Sequence, residues 1–272
     1  MRFKFLLPVI LSVIIAIPSI SQGKSKIRWN KLVEDDLLKF LTSNNMEYAL
    51  KAVEELGKRK SPSSLDELLG QLLLGHPPEL SLTIINAIGS KGNVKSFKTL
   101  SYFASHRNHS IRSAALTALS LIQTGKDQLL KTKIDNILIR ALRDFDSNVR
   151  NTAAFLIGKR KIASAEKDLL VLFGAGSIAA VDALGYIGGI TTARTFAIAL
   201  DNKKVSKERI ISSILTMLKR NDFGPEPVRV QLVKILGSLN LPGAQDALIK
   251  YHGTGPEKFM RSRKLAFKIL SK

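Results

Sequence analysis

Seven stretches of the chain carry one spacing of small, apolar and glycine residues, and a spacing repeated that often leaves few folds open. Counting from a position p, each stretch has a small or apolar residue at p+3, apolar residues at p+6 and p+7, and usually glycine at p+8. Arg150 opens RNTAAFLIG, Arg229 opens RVQLVKILG, Ser177 opens SIAAVDALG and Ser81 opens SLTIINAIG. Arg112 opens RSAALTALS with Ser120 in the glycine place, Ala49 opens ALKAVEELG with polar Glu55 intruding, and Arg263 opens RKLAFKILS. Successive starts lie 32, 31, 38, 27, 52 and 34 residues apart. Such periods mark stacked units, each too small to bury its own apolar face.

Further segments at helical spacing, such as LDELLGQLLL and AEKDLLVLF, lie between these stretches, and strand alternation is hard to find. Gly, Pro, Asn and Ser punctuation divides the chain into about fifteen predicted helices. Ser61-Pro62-Ser63-Ser64 with Glu67 reads as a capping box. Pro77-Pro78, Gly224-Pro225-Glu226 and Gly255-Pro256-Glu257 place Pro where a helix can begin, since its missing N–H costs nothing there. In the predicted packing, small residues at p+3 admit a close neighbour, p+6 and p+7 fill the seam, and Gly at p+8 allows a tight turn. The 52-residue interval from Ser177 to Arg229 reads as three helices where an even number is expected.

Residues 1–21 stand apart. Arg2 and Lys4 precede an apolar run from Phe5 to Ile17, Pro18 breaks it, and Ser19 and Ser21 put small residues before Gln22. That order is expected of a secretory signal peptide, and the run falls short of the roughly 20 residues that span a bilayer. The expected product is exported, periplasmic or secreted. Removing Arg2 and Lys4 with the segment leaves 40 basic against 22 acidic residues, a net +18. With no Cys in the chain, disulfides, thiol nucleophiles and Cys-based zinc sites are excluded.

The Val149-Arg150, Ile111-Arg112 and Val228-Arg229 pairs, each followed by an Ala- and Leu-rich helix, resemble HEAT repeats, particularly the short HEAT-like kind of phycobilisome lyases. DALGYIGG at residues 182–189 is the nearest match to that family's glycine-ended string. The resemblance implies an all-α solenoid, a right-handed superhelix of about seven helix pairs over residues 44–272, preceded by a capping helix within 22–43. It implies scaffolding more than chemistry, since such repeats serve unrelated processes. A bilin-lyase-like enzyme remains the remote alternative.

No spacing sets a base beside a nucleophile or builds a phosphate loop, so the chain is expected to be non-enzymatic and to need no cofactor. Gly174 and Gly176 in LLVLFGAGSIAAVDALG imitate a dinucleotide fingerprint, but Ala179 holds the third glycine's place and no strands surround it. His106 and His109 lack a nearby carboxylate and read as turn residues, and Asn108-His109-Ser110 forms a glycosylation sequon. Arg112, Arg150, Arg229 and Arg263 form either a basic ladder or fold-holding pairs. Asp144 and Glu257 stand six residues before Arg150 and Arg263, whereas His106 and Phe223 stand there for the other two.

The expected function is to bind another protein through the concave face, lined by the second helix of each pair. Its exposed row should fall at p+1 and p+5: Ser113, Thr117, Asn151, Phe155, Asp182, Lys234, Lys264 and Lys268. Asn151, Asp182, Lys234, Lys264 and Lys268 are the candidate binding residues. The alternative is attachment to an anionic membrane or polymer through the basic C-terminal stretch, where Lys258, Arg261, Arg263, Lys264, Lys268 and Lys272 face only Glu257. Nucleic acid fits least, because 6% aromatic residues offer few stacking platforms.

Overall fold

A computed structural model describes residues 27–200 and 205–271. The segment 1–21, read above as a signal peptide, lies outside the described residues, as does Lys272. Fifteen α-helices follow one another with no strand among the described residues. They are α1 (Glu34–Leu41), α2 (Met46–Lys58), α3 (Pro62–Leu74), α4 (Pro78–Lys91), α5 (Phe97–Phe103), α6 (His109–Ser120), α7 (Gln128–Ala141) and α8 (Ser147–Arg160). The series continues with α9 (Glu166–Gly174), α10 (Ile178–Ile187), α11 (Ile190–Ala199), α12 (Lys207–Lys219), α13 (Glu226–Ser238), α14 (Pro242–Thr254) and α15 (Met260–Leu270).

Polar caps start many of these helices. Asn45, Asn108, Asp127, Asp146, Ser177 and Ser206 each accept a first-turn N–H, which satisfies donors that have no partner within the helix. The cap of α3 is Ser61, which accepts from Ser64 N–H at 3.3 Å with Pro62 in the first turn. The expected box from Ser64 to Glu67 therefore lies one turn too late.

From α3 to α10, each odd helix packs chiefly on the even helix that follows, and consecutive even helices pack directly on one another from α2 to α14. At the α2–α4, α4–α6, α8–α10 and α10–α12 seams a p+8 glycine makes that second contact. A Cβ on Gly57 would lie 2.9 Å from the Ala87 Cβ, one on Gly89 2.8 Å from the Ala118 Cβ, and one on Gly158 3.0 Å from the Ala183 Cα. Each glycine thus faces the small p+6 residue of the next even helix. Gly57, Gly89 and Gly158 sit inside helices rather than in tight turns, so the turn expected at p+8 is corrected to a close approach of two backbones. Tight spacing in one layer and loose spacing in the other bends the stack toward the tight side. The even helices form the close-packed layer of an α-solenoid.

The interval from Ser177 to Arg229 does hold three helices, α10, α11 and α12, and the odd number has a consequence. α12 takes the next even place, with Ser213 against Gly185, and the Arg229 and Arg263 stretches become α13 and α15 of the odd layer. There Gly237 faces Ile269, and α13 packs on α15 as closely as even helices do elsewhere. Beyond α12 both layers are therefore tight.

Two glycine variants separate these roles. Gly89→Ala forces a methyl against Ala118 and should cost about 1–3 kcal/mol. Gly70→Ala, in mid-α3 with open space around its Cβ, should gain about 0.5–1 kcal/mol from helix propensity. Urea midpoints of the two variants would check both signs.

Candidate binding face

The arginines at p hold turns together. Arg112 Nη1 donates to the carbonyls of His106 (2.9 Å) and Arg107 (3.1 Å), and Arg150 Nη1 donates to those of Asp144 (2.8 Å) and Phe145 (3.0 Å). Arg229 is fully buried and donates to the carbonyls of Leu218, Arg220 and Phe223, while Arg263 donates to that of His252. The expected carboxylate six residues upstream is thus replaced by backbone carbonyls. The Asp144 carboxylate belongs instead to Arg112 of the preceding repeat, through a two-pronged pair at 2.7 and 2.8 Å. Arg112, expected to lack a partner, has the best-formed one. These groups are spent on the fold and leave little for a ligand.

Gly176 is not a phosphate cradle either. α9 is a helix where a fingerprint needs a strand, and Gly176, at φ 87°, closes it while Ser177 caps α10. His106 Nδ1 accepts from Asn108 N–H, and Asn108 Oδ1 caps α6, so both act within one turn.

The parity change divides the five candidate residues. Asn151 on α8 and Asp182 on α10 belong to the even layer, where Ser177 Oγ reaches Asn151 Oδ1 at 3.5 Å and Asp182 pairs with Arg209 of α12. Lys234 on α13, with Lys264 and Lys268 on α15, belongs to the odd layer. A single row through all five does not form, because the two groups lie in different layers of the stack. Lys264 and Lys268 share the exposed face of α15 with Met260 and Phe267.

What the even face does assemble is a cleft between α8 and α10. It encloses about 260 Å³ and is lined by Phe155, Gly158, Lys159, Lys161, Asp182, Ala183 and Tyr186. The contact of Gly158 with Ala183 forms the floor, so the motif that packs the seam also shapes the slot above it. Phe155 of α8 and Tyr186 of α10 both line it and stay 63% and 50% exposed, which leaves apolar surface at the cleft. Phe155 stands at p+5 and was in the expected row. Tyr186 stands at p+9, one turn beyond it, and the signal for it was an aromatic residue in a position that the other blocks fill with polar or aliphatic ones.

The sequence matches no protein-family model and no curated protein. Among solved structures the chain is similar to the complex of CpcE and CpcF of phycocyanin lyase from Nostoc sp. PCC7120, at 15% identity and a TM-score of 0.46, covering 88% of this chain and 96% of that one. It is also similar to a designed armadillo repeat protein, at 16% identity and a TM-score of 0.35, covering 88% and 100%. A further designed armadillo repeat protein, in complex with a (KR)4 peptide, matches at 16% identity and a TM-score of 0.35, covering 86% and 98%.

Proposed function

We propose that the chain is a non-enzymatic, exported scaffold that binds another protein along the concave face of its even helices. The observation that carries this reading is the apolar surface left on that face: Phe155, Ile178 and Tyr186 are each at least half exposed on adjacent helices, beside polar Thr117 and Asn151. Exposed apolar residues grouped in this way and rimmed by polar ones mark an interaction surface. Export rests on the order of charge, apolar run and small residues in 1–21.

Crosslinking capture by the mature chain, Gln22 onward, from the exported fraction of its native cell tests the proposal. One defined partner should be retained at high salt. Bulky charge on the even face, as in Thr117→Arg with Asn151→Arg, should abolish that capture, whereas reversing Lys234, Lys264 and Lys268 should leave it intact. Loss on reversing the lysines alone, with the even-face variant still active, would move binding to the C-terminal surface and overturn the assignment.

A further inference from the structure

Lys161 is the one non-glycine residue with positive φ among the described residues, at φ 56° and ψ 48°. It follows α8 eleven positions after Arg150. The equivalent place after α4, eleven positions from Ser81, is Gly92, at φ 57° and ψ 21°. Both residues end their helices in the left-handed conformation, which favours glycine because a Cβ crowds the backbone there. One cap has the residue that suits it, and the other carries a lysine whose backbone is strained. Strain kept at one of two equivalent positions points to work done by the side chain, and the Lys161 side chain lines the cleft between α8 and α10.

The charges around the slot are unequal. Asp182 is paired with Arg209 and presents little free charge. Asp222, beyond α12, is held by the Arg220 guanidinium at 3.0 and 3.1 Å. Lys159 and Lys161 enter no ion pair among the described residues. The cleft therefore offers two aromatic residues, a Gly158–Ala183 floor and two cations outside any close ion pair, although the Lys161 charge also favours the ionised Asp222. At about 260 Å³ it is smaller than the cavities that enclose drug-sized ligands, and it suits one large side chain.

Resting on the scaffold reading above, we propose that this cleft is the anchor for an acidic peptide segment of the partner. One apolar side chain of that segment enters between Phe155 and Tyr186, and carboxylates beside it meet Lys159 and Lys161. A basic chain draws such a segment in over a distance, and the slot fixes its register.

Random nonapeptides displayed on phage, selected on the mature chain, test this directly. Selection should enrich an aromatic or branched apolar residue flanked by Asp or Glu. Titration of the leading peptide by fluorescence anisotropy should then show affinity falling roughly fivefold in Lys161→Gly, about the loss of one exposed charge pair. In Phe155→Ala the fall should reach about thirtyfold, as for a central anchor. Lys161→Gly relieves the backbone, so its melting temperature should not fall and a folding defect cannot imitate lost binding. Enrichment of neutral or basic peptides, no enrichment, or unchanged affinity in both variants would overturn the assignment. If capture of a protein by the even face persists in Phe155→Ala and Lys161→Gly, the scaffold reading stands and the cleft assignment alone fails.

Discussion

Asp144→Ala should lower the unfolding free energy by about 3–5 kcal/mol, the usual loss when one partner of a buried ion pair is removed. The pair qualifies as buried, since the side chains of Arg112 and Asp144 are 4% and 13% exposed. The variant leaves the Arg112 guanidinium without its two carboxylate contacts and frees the Asp146 N–H, which Asp144 Oδ1 accepts at 2.9 Å. Because Arg112 lies on α6 and Asp144 precedes α8, the contact fastens one repeat to the next. Acid should act on the same contact. Burial pushes the Asp144 carboxyl up, but the hydrogen bonds from Arg112 and from Asp146 N–H outweigh it and hold the pKa below the ordinary 3.8. A depressed folded-state pKa means that the stabilisation is fully present above 3.8 and is lost as pH falls through the folded value. Urea midpoints of the wild type and Asp144→Ala should differ most at neutral pH and converge under strong acid. A constant difference down to the acid limit would show that the charge on Asp144 is not what the variant removes.

Arg229→Ala should be as damaging, at about 3–5 kcal/mol, with the damage confined to the C-terminal helices. The side chain has 0% exposure and ties together three carbonyls at the junction of α12 and α13. Its guanidinium carbon also lies 3.5 Å from the centre of the Phe259 ring, just before α15. Each carbonyl left without a donor costs roughly 1–3 kcal/mol, partly offset because a charge no longer has to be buried. Burial lowers the Arg229 pKa, but the group stays charged at any usable pH, so this loss should not vary with pH. Arg229→Lys should rescue little, because one ammonium cannot span a fork of three acceptors. Hydrogen exchange would locate the effect, with faster exchange in α13–α15 and near-native protection in α4–α8.

Several of these features stood in the sequence in plain form and others did not. The p+6 and p+8 residues gave the stack away because a seam between helices needs small side chains at fixed spacing, and Ala87, Ala118, Ala183 and their glycines supply it. Why glycine stood at p+8 was misread, since a glycine placed for close approach and one placed for a turn look the same in one dimension. The partner of Arg112 was missed because it lies 32 residues away, in the next repeat, beyond any local spacing rule. Three helices between Ser177 and Arg229 were countable, yet their effect on Lys234, Lys264 and Lys268 needed the layers to be seen. Asn151, Asp182 and Phe155 were legible as a face. Tyr186 and Lys161 were not, the first because it lies a turn past the expected row and the second because a backbone angle has no letter.

The unequal spacing of the two layers has an elastic meaning. From α2 to α12, glycines bring even helices into close approach at four of the five seams, while α3, α5, α7 and α9 lean chiefly on their even neighbours. The neutral axis of bending then runs close to the even layer. The solenoid should flex by opening and closing the gaps between odd helices, and the close-packed side should change length very little. A slot between α8 and α10 sits almost on that axis. If a partner docks in that slot, bending of the stack should leave the separation of Phe155 and Tyr186 nearly unchanged, so shape adaptation would fall to the odd layer.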